Sequence, residues 1–164
     1  MTEQRYHAVQ RWFKARPAAL KTMLIANKVL TIAVYLSYIL MLAALVFTRD
    51  GRLWRAVLVP AAVFLSGSVL RAAINAPRPY EVYHTPALVH KDRAGQSFPS
   101  RHMFSAAVLA MCGLWLCPPL GLVLGAVVVL MAPIRVLCGV HFVRDVAAGV
   151  AFGAVLGAVG FWVI

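Results

Sequence analysis

The sequence predicts an all-α fold: a polytopic membrane bundle of about five transmembrane helices behind an N-terminal amphipathic helix. Three observations carry that expectation. Apolar residues make up 62% of the 164 residues and charged residues only 13%, where water-soluble domains have about 45–50% and about 25%. Mean hydropathy is +0.82. The apolar residues also fall in long charge-free runs, and a chain of 17.9 kDa has too much surface for its volume to hide them in a water-soluble globule. Disordered, coiled-coil and disulfide-scaffold classes are excluded on the same grounds. Residues 1–164 read as a single domain, with 1–28 an interfacial leader and 71–145 the stretch that carries the chemistry.

Residues 2–18 suit a helix lying in the headgroup layer. At 100° per residue Tyr6, Val9, Trp12 and Phe13 share one face, and His7, Gln10, Arg11 and Lys14 share the other. This segment has no short apolar core before a small-residue cleavage site, so a cleavable signal peptide is not expected. Residues 29–47 carry no charge and make about 28 Å of helix, close to the hydrocarbon core of about 30 Å. Asp50-Gly51 marks a turn. Residues 56–70 form a short second span between Arg55 and Arg71, which snorkel or point into a polar interior. Residues 102–134 carry no formal charge and are too long for one span; Pro118-Pro119 divides them into two. Residues 146–164 are the last span. The stretch 71–101 is rich in Arg, Lys, His and Pro and belongs outside the hydrocarbon. Cys112, Cys117 and Cys138 have no metal-ligand spacing and read as small hydrophobes in apolar helices.

Charge is lopsided, with 16 Lys+Arg against 5 Asp+Glu. The basic residues flank apolar runs, which points to anionic lipid headgroups and topology rather than nucleic acid. The acids Glu3, Asp50, Glu81, Asp92 and Asp145 are scattered. A hard cation needs several carboxylates in one place, so neither a metal nor another cofactor is expected. With five spans, only Arg49, Arg52 and Arg55 lie at one end of the bundle, and the other 13 Lys/Arg lie at the end that carries residues 71–101. The excess persists when Arg71, Arg78, Arg101 and Arg135 are set aside, so the positive-inside rule puts that end on the cytoplasmic face.

Three clusters stand at ends of apolar runs. Arg71 and Arg78-Pro79 are seven positions apart. On a helix they would share a face; alternatively Pro77 and Pro79 end the helix and turn Arg78 back towards it. Either arrangement brings two guanidiniums together, as bidentate phosphate binding requires. In Pro99-Ser100-Arg101-His102, Ser100 is an N-cap candidate at a helix start suited to anions, with His102 in the first turn. In Ile134-Arg135 followed by His141 and Asp145, the last two are four apart and would share a helical face. That stripe continues through Gly149, Gly153 and Gly157, a surface for close packing within the bundle or for a homo-oligomer. Each cluster alone has an ordinary explanation: topological anchors, a capped helix with an interfacial histidine, a satisfied His–Asp pair.

Together they form an ordered set, and the chain resembles the type 2 phosphatidic acid phosphatase superfamily, which includes bacterial membrane lipid phosphatases. The resemblance implies a metal-independent phosphatase of the bacterial inner membrane. His141 would be the nucleophile, Asp145 its orienting base and His102 the general acid. Arg71, Arg78, Ser100, the backbone N–H of Arg101, and Arg135 would hold the phosphoryl oxygens. Arg71 replaces the family's usual Lys, Arg101 its Gly and Ile134 its Ser. Its membrane members commonly have six spans, where five and a leader are predicted here. Compatible substrates are prenyl pyrophosphates such as undecaprenyl pyrophosphate, phosphatidylglycerophosphate, phosphatidic acid and prenyl-phosphosugar phosphates. The rival of another class is a non-catalytic small membrane protein for lipid binding or assembly.

Overall fold

A computed structural model describes residues 2–89 and 94–164; Lys91, Asp92 and Arg93 lie outside the described residues. The described chain is helical: α1 (Glu3–Lys14), α2 (Pro17–Phe47), α3 (Leu53–Ile74), the single turn α4 (Pro79–Val82), α5 (Arg101–Leu116), α6 (Pro118–Leu137) and α7 (Val143–Ala158), which ends in a π-helical turn, Val159–Val163. Proline opens α2, α4 and α6, the position where its missing N–H costs nothing and its fixed φ suits the helix.

Four segments are long and apolar enough to cross a membrane: Pro17–Phe47, Leu53–Val82, Pro118–Leu137 and Val143–Val163. The apolar helix α5 has only 16 residues, shorter than these four, and runs alongside α7, Met103, Ala107 and Met111 facing Gly149, Gly153 and Gly157 in turn. This is an integral membrane protein. Large apolar side chains such as Ile39, Leu65, Val69, Val129 and Leu130 face outward, towards the space that lipid fills. α5 is the exception, because every residue from Met103 to Ala110 is buried. It packs against α6 and α7, with α2 and α3 on its remaining sides. Its unbroken apolar character follows from that central position.

The glycine stripe of α7 lies against α5. A Cβ built on Gly149 would come within 3.0 Å of Met103 Cβ, one on Gly153 within 2.9 Å of Ala107 Cβ, and one on Gly157 within 3.0 Å of Met111 Cβ. The stripe is therefore an intramolecular contact that lets two backbones approach.

The structure corrects several expectations. Residues 17–28, grouped with the leader by sequence, continue the helix of the first span, because the polar side chains there do not interrupt an i→i−4 ladder; the break falls at Ala15–Arg16. α1 does not dock through its whole apolar face. Tyr6 and Gln10 are buried while Trp12 is 46% exposed, so the seam runs along Tyr6–Gln10, one turn apart, and cuts across the polar face. Tyr6 donates to Thr85 O at 3.0 Å and packs its ring 5.1 Å from that of Tyr83. Gly139, at φ +75°, meets both partners: a Cβ there would lie 2.8 Å from Tyr6 Oη and 2.8 Å from Gln10 Nε2. The last span starts at Val143, not Val146. Cys117 caps the α5–α6 corner and is exposed, whereas Cys112 and Cys138 are buried. Arg55 is exposed and donates to Ile164 O at 3.2 Å rather than facing a polar interior.

Candidate active site

The ends of α3, α5, α6 and α7 meet on one side of the bundle and bring all three clusters together. α3 stops at Ile74 because Asn75 adopts the left-handed conformation, φ 43°. Of the two geometries open from sequence, the chain takes the one in which the prolines end the helix, and Arg78 becomes the residue that caps α4. Arg71 and Arg78 still converge on the loop before α5, where their guanidiniums donate to Pro99 O and Gly95 O.

The loop before α5 is laced to this corner. Glu81 accepts from Arg78 N at 2.8 Å and from Gly95 N at 2.9 Å. Asn75 Oδ1 accepts from Gln96 N at 3.2 Å, and Ser97 N donates to Ala76 O at 2.8 Å. Arg71 donates to Pro99 O and Arg78 Nε to Gly95 O at 2.8 Å. The loop thereby presents Ser97 and Ser100 inward, and both are fully buried.

Ser100 occupies the N-cap of α5, as its type and position suggest. Its hydroxyl makes no capping bond and is buried without a partner, while its N–H donates to Asp145 O at 2.9 Å. Arg101 opens α5 with its side chain exposed, and its N–H lies ahead of the first intrahelical bond, where a helix start offers donors to anions. His102 comes next, half-buried.

His141 differs from the expected picture. It does not share a helical face with Asp145 but sits in the turn before α7, where Asp145 is the third residue. The Asp145 carboxylate takes up the end of the helix: its Oδ2 accepts from Phe142 N at 2.9 Å and from Ser97 Oγ at 2.5 Å. His141 Nδ1 lies 3.8 Å from that same oxygen, too long for a hydrogen bond, and 3.4 Å from Ser97 Oγ. Ser97 therefore bridges the pair. Sequence reasoning missed this contact, since a lone serine outside the recognised spacings gives no signal. Burial, the largest influence, lowers the His141 pKa, with Arg78 and Arg71 acting in the same direction and Asp145 opposing them. The neutral imidazole is favoured. With Nδ1 turned to Asp145 and Ser97, Nε2 is the nitrogen left for attack.

Arg71, Arg78 and Arg135 are 5%, 9% and 5% exposed, and among the described residues none has a carboxylate within ion-pair distance. Arg135 Nη2 donates to Thr31 Oγ1 at 3.3 Å, and its Nε is buried without a partner. Removing guanidiniums from water without counter-charge is costly, and an anion among them offsets that cost. Three cations, a free hydroxyl and a helix start together suit a tetrahedral oxyanion.

The chain matches the PAP2 superfamily over residues 52–164. It is 34% identical over 121 residues to decaprenylphosphoryl-5-phosphoribose phosphatase of Mycobacterium tuberculosis, a match covering 73% of this chain and 66% of that protein. It is also similar to the crystal structure of a transmembrane PAP2-type phosphatidylglycerolphosphate phosphatase from Bacillus subtilis, with TM-score 0.69, 25% identity, and 97% of this chain against 85% of that one.

Proposed function

The chain belongs to the PAP2 superfamily, and from that premise we propose that it hydrolyses a phosphate monoester or pyrophosphate on a membrane lipid, without metal, through a phosphohistidine intermediate. As an enzyme it is a lipid phosphatase. The observation that carries this reading is three buried arginines, Arg71, Arg78 and Arg135, without a carboxylate in ion-pair distance among the described residues, two of which, Arg71 and Arg78, act on a buried, neutral-favouring His141.

His141 Nε2 attacks phosphorus; a P–N bond forms as the P–O bond to the leaving group breaks. Asp145, held by Ser97 and the Phe142 N–H, orients the ring through the Ser97 hydroxyl and stabilises the cation that develops on it. His102 gives its proton to the departing oxygen and then takes one from the water that hydrolyses the phosphohistidine. Arg71, Arg78 and Arg135, the Ser100 hydroxyl and the Arg101 N–H hold the phosphoryl oxygens throughout. Phosphoryl transfer is mostly positioning and charge stabilisation, which these groups supply.

Prenyl pyrophosphates, phosphatidylglycerophosphate, phosphatidic acid and prenyl-phosphosugar phosphates all remain compatible substrates. The two relatives favour one class among them, since each is named for a lipid in which a polyol carries both a phosphate and a phosphoryl-linked anchor. For a bacterial inner membrane, a site on the cytoplasmic face is supported by 11 described Lys/Arg at the site end (13 less Lys91 and Arg93) against Arg49, Arg52 and Arg55 at the other.

The test is phosphate release from a panel of lipid phosphates by the purified chain in excess EDTA. Turnover should persist in EDTA, be inhibited by vanadate, and vanish with the acid-labile phosphoenzyme in His141→Ala. Activity abolished by chelation and restored by Mg²⁺ would overturn the histidine mechanism. No release from any lipid, in the wild type as in His141→Ala, would favour the non-catalytic alternative.

A further inference from the structure

Beside the phosphoryl site lies a cavity of about 270 Å³, near the lower end of small-molecule pockets, about 300 Å³. His102 and Arg135 line one side and Asn27, Lys28 and Thr31 of α2 the other, with Ile32, Val89 and Val140 completing the lining. These three polar residues lie in the first half of α2, which is apolar over most of its length, and outside the stretch that matches the family. Thr31 Oγ1 donates to Asn27 O at 2.7 Å and accepts from Arg135 Nη2, which fixes the α2 wall to the phosphate-binding wall. Asn27 Oδ1 is buried without a partner. Lys28 is exposed to the cavity and has no ion pair among the described residues.

We infer that Asn27, Lys28 and Thr31 form a headgroup subsite for the part of the substrate beyond the scissile bond: a polyol joined to the lipid through a second phosphate. The inference rests on the lipid-phosphatase reading. His102 protonates the leaving oxygen, so the leaving group attached to that oxygen enters the cavity that His102 lines. The Asn27 amide meets a hydroxyl there, and Lys28 meets the phosphodiester charge. In a directly joined pyrophosphate the leaving oxygen belongs to the second phosphate itself, so no polyol stands between the two phosphates for Asn27 to meet. Phosphatidic acid has no second phosphate to offer the α2 wall.

The experiment uses the full chain in mixed micelles with three lipids: phosphatidylglycerophosphate, phosphatidic acid and undecaprenyl pyrophosphate. The ratio of kcat/KM for phosphatidylglycerophosphate to that for phosphatidic acid should fall about tenfold in Lys28→Gln, through KM more than kcat. Asn27→Leu should lower it similarly, and Lys28→Arg, which keeps the charge, should restore it. Thermal unfolding of each variant separates loss of fold from loss of recognition. An unchanged ratio in both variants overturns the subsite while leaving the phosphatase reading intact. A ratio that shifts equally against undecaprenyl pyrophosphate and phosphatidylglycerophosphate assigns the wall to a directly joined phosphate and overturns the polyol assignment. Hydrolysis of none of the three lipids by the wild type overturns the phosphatase reading itself.

Discussion

One added methyl group at Gly153 tests whether helix contact sets the geometry of the site. A Cβ there would lie 2.9 Å from both Phe104 Cα and Ala107 Cβ, with the Phe104 carbonyl oxygen closer still. Aliphatic carbons rest about 3.5–4.0 Å apart. Two of these neighbours are backbone atoms and cannot rotate away, so Gly153→Ala must part α5 from α7 by about 0.6–1 Å. The displacement is carried to the site end, where Ser100 N–H binds Asp145 O and Ser97 bridges Asp145 to His141. Misplacing reacting groups by about 1 Å costs on the order of 100-fold in rate, and overpacking costs about 1–3 kcal/mol in stability. Gly153→Ala should therefore lower turnover by up to about 100-fold and reduce the unfolding temperature, with Gly153→Leu more severe. Turnover on a lipid phosphate, thermal unfolding and oligomeric state would be measured together in detergent. Wild-type turnover and unfolding temperature in Gly153→Ala would refute the argument. Full activity of Gly153→Leu with dissociation of an oligomer would make the stripe an intermolecular surface instead.

The same geometry sets other outcomes. His102→Ala should lose far more turnover on a lipid phosphate than on p-nitrophenyl phosphate, whose leaving group needs little protonation; equal losses on both would argue against His102 as the acid. Ser97→Ala removes a hydrogen bond to a buried carboxylate, worth about 1.5–3 kcal/mol, and should lower kcat by about 10–100-fold with little change in KM. Because burial lowers the His141 pKa, the nucleophile stays neutral below the ordinary imidazole value of about 6.5, and the acidic limb of kcat/KM should lie below that pH. The sign for stability is the same: the unfolded chain protonates first as pH falls, so the His141 contribution is present above about 6.5 and is lost as pH drops from there towards the folded value. An acidic limb above 6.5 in a pH–rate profile would contradict the lowered value.

Sequence alone determined the membrane class, the apolar helices and the residues at their ends. Arg71, Ser100, His102, Arg135 and Asp145 were placed at helix ends by proline, charge and period, because a helix in lipid must be apolar along its length and keep its charges at the termini. The glycine stripe of α7 was legible for a similar reason: small residues repeating every four positions mark a backbone meant to approach another. Tertiary structure decided what each face meets. It buried Gln10 on the polar side of α1, moved His141 off the α7 face, turned Ser97 into the bridge of the His–Asp pair, and set Asn27 and Thr31 of an apolar span against Arg135. None of these leaves a local pattern. Helical period and capping record only neighbours within a turn or two along the chain. The partners of Ser97 are 44 and 48 residues away, and that of Thr31 is 104 residues away, so only packing of the whole bundle brings them within hydrogen-bonding distance.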